Sequence, residues 1–429
     1  MSVETNLPGI DLGDQQRDAL EAIRTWYDSG RVRHRNVDDR VFRLFGYAGT
    51  GKTTVARLVP ELLGLPEDRV LYAAYTGKAV HVLRTKGCPN TTTLHSLLQT
   101  QRQSCADQRL GRPCRDAVPG CETCEKQDKG DGLCPAHCVA RHTSWRRNDE
   151  SALRGASLLV CDEVSMVDER LGADITSFGV PVIVLGDPAQ LPPVGGGGHF
   201  TKSAPDVLLT EVHRQAEGSA VLDLATRIRT SRTPGSGLRA DDYRTSVDYS
   251  DYDQVLCWTR DTRWNAVKYL RRQAGRQAGI PGAGDTVICL QNNKDIAVFN
   301  GQMWTVLDAT GGVDDASGQD VWHLRLTDDN GDVVHHDAYA EGFLGREEEE
   351  GLVERRLGAR GETATMTFAQ ALTVHKAQGS EWDNVLVVDE VSRNPRCRMS
   401  AKEQRRWLYT AVTRASRSVT LRPAKPVGR

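Results

Sequence analysis

A glycine-rich segment at 46–53, GYAGTGKT, has the composition of a phosphate-binding loop. It matches the pattern G-x-x-x-x-G-K-[ST], follows an apolar run and opens a helical pattern, which is the context such loops require. Glycines let backbone N–H groups wrap phosphates, and the N-terminus of the following helix adds a positive dipole. Lys52 would place its charge on the terminal phosphates and Thr53 would offer a hydroxyl to Mg²⁺. The residues predicted to bind ATP are Gly46, Ala48, Gly49, Thr50, Gly51, Lys52, Thr53 and Thr54.

A second apolar run, at 158–161, ends in two carboxylates, Asp162 and Glu163. Asp162 can hold Mg²⁺ through water, and Glu163 can orient or deprotonate an attacking water. An acidic pair at the end of a strand is common on protein surfaces, so the pair alone is a weak signal. The phosphate-binding loop earlier in the chain makes ATP hydrolysis the better interpretation.

Six of the 11 cysteines fall within one polar segment, between residues 105 and 138. A C-x-x-C pair followed by a C-x-x-x-C pair has the spacing of a tetrahedral structural zinc site, and clustered thiols favour metal over disulfides in a cytoplasmic protein. An iron–sulfur cluster is the alternative, because four thiolates serve both. The predicted zinc ligands are Cys121, Cys124, Cys134 and Cys138, with Cys105, Cys114, His137 and His142 as substitutes or a second site.

The elements that must position these residues alternate between apolar runs and helical patterns, which predicts α/β units with parallel sheets. A different pattern between about 283 and 362, with a hairpin signal at Asn330-Gly331, predicts a small antiparallel β-domain inserted in the second α/β unit. The acidic run from Glu347 to Glu350 is predicted to be a solvated loop. Strands are predicted at 41–45, 70–74, 158–161, 182–185, 255–258, 286–290, 303–307, 321–326 and 332–336, and helices at 53–63 and 263–273.

Composition is that of a globular protein, with 39% hydrophobic and 26% charged residues. No apolar run reaches the roughly 18 residues of a membrane span, and the N-terminus lacks a signal pattern. We therefore predict a cytoplasmic protein without a membrane partner. The net charge of −2 says nothing about DNA, because basic residues could be concentrated in a groove.

Further segments make the chain resemble the RecD and Dda group of superfamily 1 DNA helicases. The resemblance extends from about residue 12 to residue 417, in the order of that family's motifs. The segments that resemble them are LGDQQ at 12–16 (Q motif), VSMVD at 164–168 after the acidic pair (motif II), VLGDPAQLPPV at 184–194 (motif III), LTEVHRQ at 209–215 (motif IV), TVHKAQGSE at 373–381 (motif V) and LYTAVTRA at 408–415 (motif VI).

The resemblance implies two tandem RecA-like P-loop domains with ATP between them and single-stranded DNA across both. It also implies a pin-bearing insertion in the first domain, here Cys-rich, and a small β-barrel inserted in the second. The predicted boundaries are 1–98 and 151–208 for the first RecA-like domain, 99–150 for its zinc-binding or pin insertion, 209–282 and 363–429 for the second RecA-like domain, and 283–362 for the barrel.

Roles for individual residues follow from the same resemblance. Arg214 and Arg414 would neutralise charge on the transferring phosphoryl group when the domains close, and Gln190 would sense the γ-phosphate. Gln16 would read the adenine, and Glu381 would hold the ribose. Tyr75 stands where the family commonly has a proline, and its ring could stack on a base. The predicted DNA contacts are Tyr75, Thr76, Lys78, Thr93, His95, His375 and Lys376.

The resulting expectation is a monomeric, ATP-dependent DNA helicase, acting on single-stranded and forked duplex DNA, with 5′→3′ polarity implied by the resemblance alone. Replication or recombination proteins are candidate partners, in replication, recombination or repair. A phage or mobile-element source, and hence the host cytoplasm, is a guess from the compact form. Two alternatives stay open: a translocase that does not separate strands, and a nucleotide switch or zinc module that binds nucleic acid.

Overall fold

The structure is a computed structural model. It describes residues 12–30, 32, 36–105, 141–193, 198–212, 219–233, 235–291, 293, 296, 298, 300–314, 318–328, 331–355, 363–392, 394 and 397–424. The chain divides into two compact units, of which the first comprises Met1–Leu97, Ala152–Ala278 and Phe368–Arg429, and the second Leu98–Ser151 and Gly279–Thr367. Among the described residues, no helix is both long enough and apolar enough to cross a membrane.

The helices of the described residues are α1 (Asp14–Asp28), α2 (Lys52–Leu63), α3 (Gly77–Thr85), α4 (Leu94–Leu98), α5 (Glu169–Thr176), α6 (Ala220–Thr230), α7 (Arg260–Gln273), α8 (Arg346–Arg355) and α9 (Ala401–Val412). The strands are β1 (Val41–Gly46), β2 (Val70–Ala74), β3 (Thr91–Thr93), β4 (Gln99–Cys105), β5 (Arg141–Arg147), β6 (Leu158–Asp162), β7 (Val182–Gly186), β8 (Val207–Leu209), β9 (Gln254–Cys257), β10 (Thr286–Cys289), β11 (Met303–Val313), β12 (Asp320–Thr327), β13 (Val333–Tyr339), β14 (Thr363–Ala364), β15 (Met366–Phe368), β16 (Ala371–Thr373), β17 (Trp382–Asp389) and β18 (Ala415–Pro423). The predicted strands and helices are confirmed to within a few residues at their ends, except that β11 runs well beyond its predicted end.

The first sheet of the first unit is parallel, with strand order β3-β2-β6-β7-β1-β8. Most of its strands are apolar runs, because helices cover a parallel sheet on both faces, whereas the edge strand β3 consists of three threonines. Residues of α1 and α2 pack with β1 and β2 in one core, where Leu20, Val55 and Leu44 are fully buried. The carboxyl ends of β1, β6 and β7 therefore share one edge of this sheet.

The second sheet of the same unit has the order β16-β9-β17-β18, and its strands also run parallel. Helix α7 follows β9, and helix α9 precedes β18. Trp407 and Leu408 of α9 are fully buried. The predicted α/β pattern with two parallel sheets is confirmed.

The second unit contains a six-stranded sheet of order β14-β13-β12-β11-β10-β15. Strands β10 to β13 pair antiparallel, as predicted for the inserted β-domain, and the turn signal lies between the paired strands β12 and β13. Asn330 itself lies outside the described residues. Closure of this sheet into a barrel stays a prediction.

The prediction of a loop from Glu347 to Glu350 is wrong, because these residues lie in α8. Glutamate is a good helix former, and carboxylates in a first turn are favoured by the helix dipole. Glu349 is buried and accepts a hydrogen bond from Thr367 Oγ1 at 3.0 Å. The acidic run therefore has a packed side as well as a solvated one.

The Cys-rich segment begins and ends on an antiparallel ladder of β4 and β5, in which Cys105 pairs with Arg141 and Gln99 with Arg147. Cys114, Cys121, Cys124, Cys134, Cys138 and His137 lie outside the described residues. The ladder brings the two ends of that segment next to each other.

Candidate nucleotide site

The loop at 46–51 connects β1 to α2, as its sequence predicted. Gly51 has a φ of 78°, and a Cβ there would lie 2.1 Å from Gln16 Nε2, so only glycine fits. Gln16 is buried, donates to the carbonyl of Thr50 at 3.2 Å and accepts from the amide of Gly13 at 3.0 Å. The residue predicted to read the adenine thus lies against the phosphate-binding loop.

The side chain of Lys52 points back over this loop. Its Nζ donates to the carbonyls of Gly46 and Tyr47 at 2.8 and 3.0 Å. Thr50 is buried and donates to the same Tyr47 carbonyl at 2.8 Å, whereas Thr53 and Thr54 are half-buried at the start of α2. The loop is therefore held by its own side chains, with the ammonium group at its centre.

The acidic pair lies where β6 ends. Burial and the adjacent Glu163 carboxylate raise the pKa of Asp162 to about 6, while the Glu163 amide and Lys52 oppose the rise. Glu163 has a left-handed φ of 54°, and its N–H donates to Asp162 Oδ1 at 2.8 Å. Such a conformation is costly for a residue other than glycine, and it recurs at functional sites. Carboxylate and hydroxyl oxygens are the donors that Mg²⁺ prefers, and the charge of Lys52 in the loop lowers the pKa of Asp162.

The loop after β7 carries Asp187 and Gln190, both buried. The backbone N–H of Gln190 donates to the backbone carbonyl of Asp187 at 3.2 Å. The side-chain oxygen Oε1 of Gln190 accepts from Ser165 Oγ at 3.4 Å. Burial raises the pKa of Asp187, whereas the charge of Lys52 and a hydrogen bond from Tyr409 lower it. The lowering effect of Lys52 indicates that this carboxylate and the ammonium group of the loop belong to one charge cluster.

Tyr409 of α9 joins the two sheets at this cluster. Its hydroxyl accepts the Ala48 N–H at 2.9 Å and donates to Asp187 Oδ2 at 2.6 Å. The next residue, Thr410, accepts the N–H of Leu191 at 3.0 Å, and Gln378 Nε2 donates to the carbonyl of Leu191 at 3.0 Å. The site is thus built from the end of the first sheet and from segments of the second sheet together.

Two arginines of the second sheet's helices also reach this region. Arg229 of α6 lies with Cζ 3.6 Å from the ring centre of Tyr47, a cation–π geometry. Arg406 of α9 donates to the Pro188 carbonyl at 3.0 Å, and burial lowers the pKa of Arg406. Sequence reasoning gave no role to Arg229, Arg406 or Tyr409, although Tyr409 lies in the segment that resembles motif VI. No spacing rule singles out one arginine or tyrosine in an amphipathic helix.

The predicted arginines and the predicted ribose ligand have no described hydrogen bond to the loop at 46–53. Arg414 is buried, and its guanidinium donates to the carbonyls of Thr410 and Ser380, both at 3.1 Å. Glu381 is exposed just before β17, and Arg214 lies outside the described residues. Arg414 therefore lies just after the end of α9. The described hydrogen bonds of its guanidinium group go to residues next to the second sheet, not to the phosphate-binding loop.

Several of the predicted DNA contacts gather where the two sheets approach each other. The Tyr75 and His95 rings lie edge to face with centroids 5.2 Å apart. Gly379 has a φ of 74°, and a Cβ there would lie 2.7 Å from Thr76 Oγ1, so this approach needs glycine. His375 is half-buried, and the next residue, Lys376, is exposed. Burial lowers the pKa of His375, which keeps the imidazole neutral near pH 7.

The predicted hydroxyl contacts also cap helices. Thr76 Oγ1 accepts the N–H of Ala79 at 3.2 Å, and Thr93 Oγ1 accepts the N–H of Ser96 at 3.1 Å. Capping by a threonine side chain stabilises a helix N-terminus on its own account. The side chain of Lys78 lies outside the described residues. A structural explanation therefore stands beside the DNA role for both threonines.

A second acidic pair, Asp389-Glu390, ends β17 in a segment that repeats the first. VLVVDEVS at 385–392 and LLVCDEVS at 158–165 share six of eight residues. The Glu390 carboxylate accepts hydrogen bonds from Trp258 N at 2.7 Å and Thr259 N at 3.1 Å, and also from the hydroxyls of Thr259 and Thr262. The Glu390 carboxylate is therefore engaged in holding the start of α7 after β9. Among the described residues, no such ring of donors surrounds the Glu163 carboxylate.

Two parallel α/β sheets, with a P-loop at the edge of the first and contacts from the second, define a P-loop protein with tandem RecA-like domains. Comparison with known families and structures agrees. A family described as "AAA domain" matches residues 12–249, and one described as "UvrD-like helicase C-terminal domain" matches residues 368–421. The chain belongs to the AAA domain family.

Relatives with curated names include the ATP-dependent RecD2 DNA helicase of Deinococcus radiodurans, 27% identical over 412 residues that cover 88% of this chain and 46% of that protein. The RecBCD enzyme subunit RecD of Mycobacterium tuberculosis is 26% identical over 444 residues, which cover 88% of this chain and 65% of the subunit. The chain thus spans about half to two thirds of the length of these relatives. The fold is similar to that of Bacteroides Pif1 bound to single-stranded DNA, with a TM-score of 0.54 and 19% identity over 96% of this chain and 92% of that one.

Among the described residues, no group of three or more His, Cys, Asp and Glu side chains is arranged to hold a metal ion. The predicted zinc ligands Cys121, Cys124, Cys134 and Cys138 lie outside that part of the chain.

Proposed function

We propose that this protein is an ATP-dependent DNA helicase that moves along single-stranded DNA, with 5′→3′ polarity, and separates duplex strands at a fork. The observation that carries the proposal is the joint construction of the site: the Ala48 amide of the first sheet and Asp187 both bind Tyr409 of the second sheet. A nucleotide bound at 46–53 would change contacts with α9. Hydrolysis there can therefore be coupled to movement of one sheet against the other.

The proposed chemistry assigns one task to each group. The loop amides and Lys52 hold the phosphates, and Thr53 and Asp162 hold Mg²⁺, which neutralises phosphate charge when bound. Glu163 takes the proton of the attacking water. Gln190 senses the terminal phosphate, and the guanidinium groups of Arg214 and Arg414 stabilise charge in the transition state.

The proposed DNA track crosses the segment that carries Tyr75 and Thr76 and the segment that carries His375 and Lys376. These segments approach each other at Thr76 and Gly379. Threonine hydroxyls and a lysine suit phosphate contacts, which fix register without reading sequence. The neutral His375 imidazole can donate one hydrogen bond without requiring a charge partner. The relatives' names support DNA as the nucleic acid: one is called a DNA helicase, and the Pif1 structure was solved with single-stranded DNA.

The test of this proposal is steady-state ATP hydrolysis with and without single-stranded DNA, combined with unwinding of duplexes that carry a 5′ or a 3′ tail. We expect DNA of any sequence to stimulate hydrolysis, and we expect only the 5′-tailed duplex to be unwound. DNA binding should weaken as salt rises, because phosphate contacts release counterions.

Other outcomes would select an alternative function. DNA-stimulated hydrolysis without strand separation on either substrate would favour a translocase. Weak hydrolysis that ignores DNA would favour a nucleotide switch and contradict the proposal. Unwinding of the 3′-tailed duplex alone would overturn the polarity.

We further propose that the segment between β4 and β5 binds one structural zinc through Cys121, Cys124, Cys134 and Cys138. Support comes from the ligand spacing and from the β4–β5 ladder, which closes the segment into a loop whose ends are paired. The segment is too polar to build its own core, so metal binding would supply the free energy that orders it.

For the zinc site we expect elemental analysis of protein purified without chelator to give about one zinc per chain. The double substitution Cys121→Ser with Cys124→Ser should remove the zinc and reduce unwinding more than hydrolysis. A Cys88→Ser variant is the matched control, because Cys88 is a buried thiol in the core of the first sheet. Iron with visible absorbance, or protein without metal, would contradict zinc.

A further inference from the structure

Tyr409 is the one side chain described here that binds an amide of the phosphate-binding loop from the second sheet. We propose that its hydroxyl is a built-in competitor for the phosphate position: it accepts the Ala48 N–H that a nucleotide phosphate also requires, and it releases that N–H when nucleotide binds. Tyr409 is then a positioning residue that reports occupancy of the site to α9. This inference rests on the proposed nucleotide site and gives Tyr409 a role within it.

The geometry assigns the direction of both hydrogen bonds. A backbone amide can only donate, so the hydroxyl oxygen accepts the Ala48 N–H at 2.9 Å. Its single proton goes to Asp187 Oδ2 at 2.6 Å. Burial and the Asp187 carboxylate raise the pKa of Tyr409 well above its usual value, which keeps that proton in place. The oxygen therefore presents to the loop what a phosphate oxygen presents, an acceptor with no proton of its own to offer.

The position of Tyr409 leaves little room for an alternative partner. Both Tyr409 and Asp187 are buried, with 2% and 3% of their surface exposed. Asp187 is fixed on its other oxygen by the Ala189 N–H at 2.9 Å. The hydroxyl can thus keep its bond to Asp187 while the loop amide passes to a phosphate. The Tyr409–Asp187 bond is then common to both forms, and only the Tyr409–Ala48 bond is exchanged.

The exchange has a direct path to other parts of the site. Thr410 follows Tyr409 and accepts the N–H of Leu191, in the loop that carries Gln190. Arg414 donates to the carbonyl of Thr410. The bond that is exchanged therefore lies one residue from a helix position that contacts both the loop of the predicted γ-phosphate sensor and the predicted motif VI arginine.

The test compares the unsubstituted chain with Tyr409→Phe in their binding of mant-ADP in the presence of Mg²⁺. Affinity is measured by fluorescence titration, and the dissociation rate by displacement kinetics. Because the variant no longer offers a competing acceptor, we expect roughly three- to tenfold tighter binding, the factor of one neutral hydrogen bond. Dissociation of mant-ADP should slow by a similar factor. A structural role alone would predict the opposite, since a loosened site binds more weakly.

Tyr243→Phe is the matched control. The Tyr243 hydroxyl donates to Asp389 Oδ2 at 2.6 Å, the same bond to the same kind of carboxylate, but at the far acidic pair of the second sheet. Both variants should lose similar thermal stability, whereas only Tyr409→Phe should change nucleotide affinity. Equal or weaker mant-ADP binding by folded Tyr409→Phe would overturn the inference. Failure of the unsubstituted chain to bind mant-ADP would instead contradict the proposed nucleotide site.

A second measurement does not depend on the stability of the phenylalanine variant. 3-Fluorotyrosine incorporated at position 409 alone keeps the hydroxyl and supplies a fluorine resonance. Addition of Mg²⁺ and ADP should shift this resonance, while the same label at position 243 should stay unchanged. An unchanged resonance at 409 under saturating ADP would contradict release of the Ala48 amide.

Discussion

Lys52→Ala should reduce ATP hydrolysis by at least ~100-fold, the loss expected when one donor to a transition-state charge is removed. The ammonium group lies over the loop, on the carbonyls of Gly46 and Tyr47, where it can turn onto a phosphate without a change of backbone. Alanine keeps the start of α2 and removes the only charge of the 46–53 loop. The measurement is steady-state hydrolysis at saturating ATP and DNA.

The fold of this variant should persist, because Lys52 is half-buried and its two hydrogen bonds go to carbonyls of the loop itself. We expect the melting temperature to fall by only a few degrees from loss of the two hydrogen bonds. Lys202→Ala is the matched control: Lys202 pairs with Glu169 on an exposed surface of the same α/β unit. Near-normal turnover in folded Lys52→Ala protein would remove the loop from the catalytic site.

The two-sheet architecture and the first half of the site could be predicted from the sequence because both are encoded locally. The loop at 46–53 needs its glycines within a few residues of one another, and β6 places Asp162 and Glu163 in adjacent positions. Buried parallel strands are continuous apolar runs, which is why their positions were predicted closely.

The contribution of the second sheet could not be predicted in the same way. Tyr409 meets Ala48 across 361 positions of sequence, and Arg229 reaches Tyr47 from a helix whose pattern shows only that it is amphipathic. Helix α8 was missed for another reason: four successive glutamates resemble a solvated run, yet one of them, Glu349, turns inward to Thr367. Charge counts along the chain do not show which side of a helix is packed.

The repeated acidic pairs show the same limit more sharply. Asp162-Glu163 and Asp389-Glu390 end parallel strands and are followed by the same Val-Ser dipeptide. Local sequence gives no reason to assign them different tasks. Their surroundings do: the first lies on the sheet that carries the phosphate-binding loop, and the second is surrounded by donors from Trp258 and Thr259.

Glu163→Gln should retain ATP binding and lower the hydrolysis rate by about 10² to 10⁴, the range for loss of a general base. The amide has the shape of the carboxylate and can still contact water, but it cannot take its proton. The substitution also removes the like charge that helps raise the pKa of Asp162. Binding is measured with mant-ADP and hydrolysis with ATP, and loss of affinity with a normal rate would contradict the base assignment.

Glu390→Gln is the same chemical change in almost the same local sequence, and we expect the opposite pattern. Its carboxylate accepts from two backbone amides and two threonine hydroxyls, so the new NH₂ group would face donors where an acceptor is required. Loss of hydrogen bonds to a charged acceptor costs roughly 1.5–3 kcal/mol. The melting temperature should therefore fall while hydrolysis by the folded fraction stays near normal. A hydrolysis defect in Glu390→Gln as large as that in Glu163→Gln, at temperatures where both are folded, would show that the two pairs are not divided between structure and chemistry.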